Sequence, residues 1–133
     1  MQTHDPGAND LPEPAVELSA ESPGVLVVSL RGEHDLNSRA AVAAAVERAC
    51  EDADVLVDLT HCTFVDSTII GVLVAALQAQ AEQGRRLELV VPAHAHAIRR
   101  VTEVAGLATF MPVHETRSEG VSSLRRVLRS DAE

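Results

Sequence analysis

A cluster of hydroxyl and carboxyl side chains lies near the middle of the chain, where a strand pattern gives way to a helix pattern. The cluster spans residues 63–68, TFVDST, and we expect Asp66 or Ser67 to begin the helix. The first backbone N–H groups of a helix are unpaired and lie at the positive end of the helix dipole. Such a position can hold a phosphate, either as a bound ligand or as a covalent group on the Ser67 hydroxyl. In the simpler interpretation, Asp66 and Ser67 only cap the helix.

Ser67 is a weak candidate for a catalytic nucleophile. Neither glycine of the GxSxG nucleophile elbow flanks it, and no particular histidine is indicated as its base. The sequence also contains no GxxxxGKS, GxxxxGKT or GxGxxG motif that would hold a nucleotide. We therefore predict a protein that is not an enzyme, with no catalytic residues and no cofactor.

The histidines and cysteines do not form a metal-binding pattern. His94 and His96 stand two residues apart at the start of a predicted helix, where their side chains point in different directions. His61 and Cys62 precede the cluster, but the spaced ligands that would complete a zinc site are missing. We predict no metal site, and we expect Cys62 to be a packed side chain rather than a reactive one.

The composition limits the kinds of partner. The 133 residues include 20 acidic side chains and 11 basic ones, all of them arginine, for a formal net charge of −9. A chain this acidic is repelled by phosphate backbones and by anionic lipid surfaces. Aromatic residues make up only 2% of the chain, which is too few for stacking on single-stranded nucleic acid. We predict that the protein does not bind nucleic acid.

The sequence predicts a cytoplasmic protein with one folded domain. No stretch reaches the roughly 20 apolar residues of a membrane helix, so no membrane insertion is expected. The start has neither the basic nor the apolar segment of a signal peptide. Two cysteines, Cys50 and Cys62, do not make a disulfide framework. Residues 1–14 are acidic and proline-bearing, which is typical of a disordered tail, and the domain is predicted over residues 15–133.

Hydrophobic periodicity predicts an α/β fold in the order ββαβαβαβα. An opening hairpin followed by strand–helix–strand repeats predicts a mixed sheet, antiparallel at its N-terminal end and parallel after it, packed with about four helices. The strands are predicted at residues 16–20, 25–30, 55–59, 87–91 and 109–113, and the helices at about residues 38–50, 67–83, 94–105 and 118–130.

Three details of this prediction concern the surroundings of the cluster. Residues 61–65 are expected to form only a short connection between a strand and a helix. The last strand, at residues 109–113, is expected at an edge of the sheet because Pro112 cannot donate to a central ladder. The helix after the cluster is expected to bury one apolar stripe, made of Ile70, Leu73, Val74, Leu77 and Ala81.

Two short segments, together with this element order, resemble the STAS domain, which sulfate transporters and anti-sigma factor antagonists share. The first segment is GEHD at residues 32–35, after the second strand, and the second is DST at residues 66–68. The resemblance extends from about Val16 to Arg129. It implies a STAS-like fold and a bacterial anti-sigma factor antagonist (anti-anti-sigma factor), which regulates transcription through protein–protein binding.

The resemblance also implies a phosphorylation switch. In the family, the serine directly after the aspartate is the phosphoacceptor, and that position is Ser67 here. The unmodified antagonist binds an anti-sigma factor of the ATP-dependent serine kinase type, and phosphorylation of the serine ends the binding. Asp35 is expected close to the phosphoacceptor. The implied partner-binding residues are those of the two segments and the residue after them: Gly32, Glu33, His34, Asp35, Asp66, Thr68 and Ile69.

Two positions depart from the family pattern. His34 replaces a leucine, and Ile69 replaces a glycine that directly follows the second segment. The Ile69 side chain either packs inward or stands in the docking surface. In the second case it suits a permanent and drier interface. The resemblance then implies a constitutive interaction subunit without a phosphoswitch, either an accessory of a lipid-transport ATPase or a stress-sensing scaffold. The sequence leaves this choice, and the oligomeric state, open.

Overall fold

The computed structural model describes residues 14–132 of the chain, with side chains described up to Arg125. The predicted tail of residues 1–14 lies outside this range except for Pro14, so the boundary at residue 15 stays a prediction. The described elements in chain order are β1 (Ala15–Ser22), β2 (Val25–His34), a 3-10 turn (Leu36–Ser38), α1 (Arg39–Ala49), β3 (Asp54–Asp58), β4 (Cys62–Val65), α2 (Ser67–Glu82), β5 (Leu87–Val90), α3 (His96–Val104), α4 (Leu107–Phe110), β6 (Val113–His114) and α5 (Arg117–Ala132).

The strands form one mixed sheet. β1 and β2 make an antiparallel hairpin, from Ala15 opposite Arg31 to Ser22 opposite Val25. The strand order along the sheet is β1-β2-β3-β5-β6, with parallel pairing from β2 onward, and β4 pairs in parallel with the end of β2. The predicted α/β fold, an antiparallel N-terminal hairpin followed by parallel crossovers, is confirmed.

Helices cover both faces of the sheet. Because side chains alternate across a strand, β3 directs Val55 and Val57 into a core that also contains residues of α1, α2 and α3. It directs Leu56 into a second core, which contains Val121 and Leu124 of α5. This double coverage is the reason that every residue of β3 is buried.

The structure corrects the predicted elements at two places. The connection expected over residues 61–65 contains strand β4. The strand expected over residues 109–113 is divided, because its first part belongs to helix α4 and only β6 pairs with β5. Pro112 lies directly before β6, and its carbonyl accepts a hydrogen bond from β5. The missing N–H of the proline therefore leaves this edge pairing intact.

The buried face of α2 is rotated from the predicted stripe. Ile70 and Leu73 are buried as predicted, whereas Ala81 is exposed. The face that packs inward also includes Ile69 and Gln80. Gln80 is tolerated there because its side-chain amide donates to two backbone carbonyls, at 2.8 and 2.9 Å, so its donors are paired although they are buried.

A substitution of Gly120 tests the packing of α5 against β3. A Cβ atom at this position would lie 2.6 Å from Leu56 Cδ1, and Leu56 is fully buried. We expect Gly120→Ala to lower the free energy of unfolding by about 1–2 kcal/mol, since the overpacking outweighs the gain in helix propensity. The measurement is urea unfolding followed by circular dichroism.

Gly71→Ala is the matched control, because Gly71 is also inside a helix but its added Cβ would meet nothing within 4 Å. This variant should raise the free energy of unfolding by about 0.5–1 kcal/mol. Equal effects of the two substitutions would contradict the close contact between α5 and β3.

Candidate functional site

The two segments singled out from the sequence are joined by the pairing of β2 with β4. Gly32 pairs with Cys62, and His34 pairs with Val65 in parallel register. The Gly32 amide also donates to the His61 carbonyl at 3.1 Å. Both strands end at this point in the same direction, so the chain after His34 and the chain after Val65 leave the sheet side by side.

A bulge lies within this pairing. The register shifts between Gly32 and Glu33, since Gly32 pairs with Cys62 but Glu33 pairs with Phe64, which leaves Thr63 as an extra residue on β4. Gly32 has a φ of 78°, in the left-handed region that favours glycine. Gly32 therefore contributes its backbone conformation to the site, and a side chain at this position would be strained.

His34 lies beneath the surface. It is fully buried, and both of its ring nitrogens have partners: Nε2 donates to the Arg31 carbonyl at 2.8 Å, and Nδ1 is 3.0 Å from Ser38 Oγ. The side chain of His34 does not reach the surface, so the expected partner contact at this position stays a prediction that only its backbone could fulfil. The side chain instead connects the end of β2 to the 3-10 turn that follows.

Asp35 and Ser38 fix the start of the 3-10 turn as a capping box. Asp35 Oδ1 accepts a hydrogen bond from the Asn37 amide at 2.9 Å, and Ser38 Oγ accepts one from the Asp35 amide at 3.2 Å. The Asp35 carboxylate is half-buried, and Glu33 before it is exposed. The segment thus presents two carboxylates directly after the strand that pairs with β4.

Asp66 is the N-cap of α2, and Ser67 is the first residue of the helix. Asp66 Oδ1 accepts hydrogen bonds from the amides of Thr68, at 3.0 Å, and Ile69, at 3.2 Å. The capping interpretation of Asp66 is therefore confirmed. Ser67 is exposed, and Thr68 is half-buried. Two of the amides that could have bound a phosphate at this helix start, those of Thr68 and Ile69, are occupied by the Asp66 carboxylate.

Ile69 packs inward. It is 0% exposed and belongs to the core between α2 and the sheet. Of the two possibilities left by the sequence, the inward one is observed, and the Ile69 side chain does not stand in a docking surface. The argument that an apolar Ile69 favours a permanent interface no longer applies.

An apolar pocket of about 390 Å³ lies beside Ser67, between the start of α2 and α3. The sequence analysis did not include it in the site. The sequence carries one weak signal for it, since residues 100 and 104 stand one turn apart on α3; the 82% exposure of the apolar Val104 is visible only in the structure. The pocket is lined by Ser67, Ile70, Arg100, Val101, Val104 and Ala105.

Three histidines from two distant parts of the sequence line a larger cavity. His61, His94 and His96 all line a space of about 700 Å³ between the end of β2, β4 and the start of α3. Within residues 14–132, no three His, Cys, Asp or Glu side chains are arranged to hold a metal ion. Cys62 lines the same cavity but is buried, and this burial raises the pKa of its thiol to about 11. The thiol is therefore protonated at neutral pH.

Comparison with known families identifies the class of this protein. A family model described as "Mlab, STAS domain" matches residues 18–113. The match covers most of the chain, and the chain belongs to this STAS domain family. No curated protein matches the sequence.

Several solved structures have the same fold. An anti-sigma factor antagonist from Mycobacterium paratuberculosis superposes with a TM-score of 0.76 at 23% identity, covering 85% of this chain and 95% of that chain. The phosphorylated form of the Bacillus cell fate determinant SpoIIAA gives 0.64 at 20% identity, covering 82% and 98%. A sulfate transporter family protein from Wolinella succinogenes gives 0.68 at 11% identity, covering 95% and 99%. At these identities the similarity establishes the fold.

No helix in the described part of the chain is both long enough and apolar enough to cross a membrane.

Substitutions at Ile69 and Ser67 test the assignment of one residue to the core and the other to the surface. Ile69→Ala removes a fully buried side chain and should lower the free energy of unfolding by about 2–5 kcal/mol. Ser67→Ala changes an exposed position and should alter it by no more than about 0.5 kcal/mol. Chemical denaturation measures both, and a small effect of Ile69→Ala would contradict its place in the core.

Proposed function

We propose that the protein is an anti-sigma factor antagonist that binds a kinase-type anti-sigma factor and is released when Ser67 is phosphorylated. The observation that carries the proposal is the exposed Ser67 at the start of α2, next to the N-cap Asp66 and beside the segment that follows β2. The similarity in fold to anti-sigma factor antagonists, one of them phosphorylated, supports it. The protein acts as a substrate and a binding partner in the cytoplasm, not as an enzyme.

The proposed contact surface consists of side chains at the ends of β2 and β4. Glu33, Asp35, Asp66, Ser67 and Thr68 are exposed or half-buried there. Beneath them, the backbone of Gly32 and the buried ring of His34 hold the first segment in place. Ile69 supports the helix start from the core. A kinase active site could reach the Ser67 hydroxyl without any unfolding of α2.

Electrostatic repulsion explains how the modification ends the binding. The kinase transfers the γ-phosphoryl group of ATP to Ser67 Oγ, which loses its proton, and ADP is the second product. The phosphate adds about −1.5 to −2 charges at neutral pH. Asp35 and Asp66 already make this surface acidic, and the kinase holds nucleotide phosphates of the same sign. A loss of about 3 kcal/mol in binding free energy would weaken the affinity more than a hundredfold.

The affinity of Ser67 variants for the partner tests the proposal. The partner is captured from a bacterial lysate on the unmodified protein, identified as an ATP-binding anti-sigma factor, purified, and titrated by calorimetry. We expect Ser67→Ala to bind as the wild type does, and Ser67→Glu to bind at least about tenfold more weakly.

Ser118→Glu is the matched control, because Ser118 is also exposed in the first turn of a helix but lies on α5. It should bind as the wild type does. Equal affinities of Ser67→Ala and Ser67→Glu would contradict the phosphoswitch.

A constitutive interaction subunit without a phosphoswitch is the second candidate. The description of the matching family, which names MlaB and no anti-sigma factor, favours it. In that case the partner is a lipid-transport ATPase or a stress-sensing assembly, and it binds every Ser67 variant with the same affinity and at fixed stoichiometry.

A further inference from the structure

Among the residues that the structure describes, two polar side chains line the pocket beside Ser67. These are Ser67 on α2 and Arg100 on α3, and the remaining wall is formed by the apolar residues Ile70, Val101, Val104 and Ala105. Ser67 and Arg100 thus border the same space from two different helices, and no carboxylate is among the described residues that line it.

Arg100 differs from the other arginine of its pair. Arg99 forms an ion pair with Glu115 at 3.0 Å and donates to the Pro92 carbonyl at 3.2 Å. Arg100 is exposed, and it makes no ion pair within the part of the chain that the structure describes. Its guanidinium is thus available for an anion at the pocket, and guanidinium groups bind phosphate through two parallel hydrogen bonds.

A phosphate on Ser67 needs a cation from outside its own helix start. The amides of Thr68 and Ile69 already donate to the Asp66 carboxylate, which would also repel the phosphate. The side chain that can compensate this charge is the arginine across the pocket. Its long side chain allows the guanidinium to move over the apolar wall.

We propose that Arg100 is the counter-ion of phosphorylated Ser67, and that the phosphoserine–arginine pair forms at the mouth of the apolar pocket between α2 and α3. This inference rests on the proposed function in one respect, which is that Ser67 is the phosphorylated residue. The modification then has a second consequence besides repulsion: it covers the mouth of a pocket that is open in the unmodified protein and immobilises Arg100 there.

The second pKa of the phosphoserine tests this pair without any partner protein. Phosphoserine is incorporated at position 67 during translation, and the phosphorus signal is followed by NMR as the pH is varied. A nearby cation favours the dianion and lowers this pKa. We expect Arg100→Gln to raise the phosphoserine pKa by about half a pH unit, the size of a partly exposed ion pair, and we expect Arg100→Lys to have a smaller effect.

Arg125→Gln is the matched control, because Arg125 is an exposed arginine on α5, which packs on the opposite face of the sheet. It should leave the phosphoserine pKa unchanged. Identical values in wild type and Arg100→Gln would overturn the pair, and equal shifts in both arginine variants would do so as well, since only net charge would then matter. Affinity for the anti-sigma factor is measured separately on the same phosphorylated wild type, so a failure of the switch is distinguished from a failure of the pair.

Discussion

The parallel pairing of β4 with the end of β2 is the interaction on which the site depends. β2 is ten residues long; it pairs with β1 from Val25 to Arg31, with β3 from Val25 to Ser29, and with β4 over its last three residues. This last pairing holds Val65 against His34, two residues before Ser67, so the start of α2 is fixed relative to the end of β2. The buried ring of His34 supports the arrangement through its two hydrogen bonds, which makes the site part of the sheet rather than of a loop.

Much of the fold could be predicted from the sequence, because long buried strands and amphipathic helices have clear periods. β4 was missed because it has only four residues, with buried ends and an exposed middle, so it has no alternating pattern. The phase of α2 was missed for a different reason: residues 69, 70, 72, 73 and 74 are all apolar, so the period does not single out one face, and packing between the sheet and α1 decides it. The strand predicted over residues 109–113 is wrong in its first part, because Gly106, with a φ of 69°, is followed by the short helix α4.

The residues of the site were predicted from two short segments, but the burial of two of them was not. The sequence could not tell that His34 and Ile69 are buried, because burial depends on the pairing of β2 with β4 and on the rotation of α2. The burial of Ile69 has a functional consequence. A side chain that differs from the family's glycine does not stand in the proposed contact surface, and this removes the sequence-based objection to a phosphoswitch at Ser67. The pocket beside Ser67, with Arg100 and Val104 of α3 in its wall, could be found only in the three-dimensional structure.

Hydrogen exchange of individual backbone amides, followed by NMR on the unmodified protein, tests this account most directly. The Gly32 amide donates to His61 at 3.1 Å at the junction of β2 and β4, and the Val55 amide donates to Arg86 at 3.0 Å in the centre of the sheet. If the pairing with β4 is as stable as the rest of the sheet, Gly32 will be protected to the same extent as Val55. If Gly32 exchanges as in an unfolded peptide while Val55 stays protected, β4 is not held against β2 and the account of the site is contradicted.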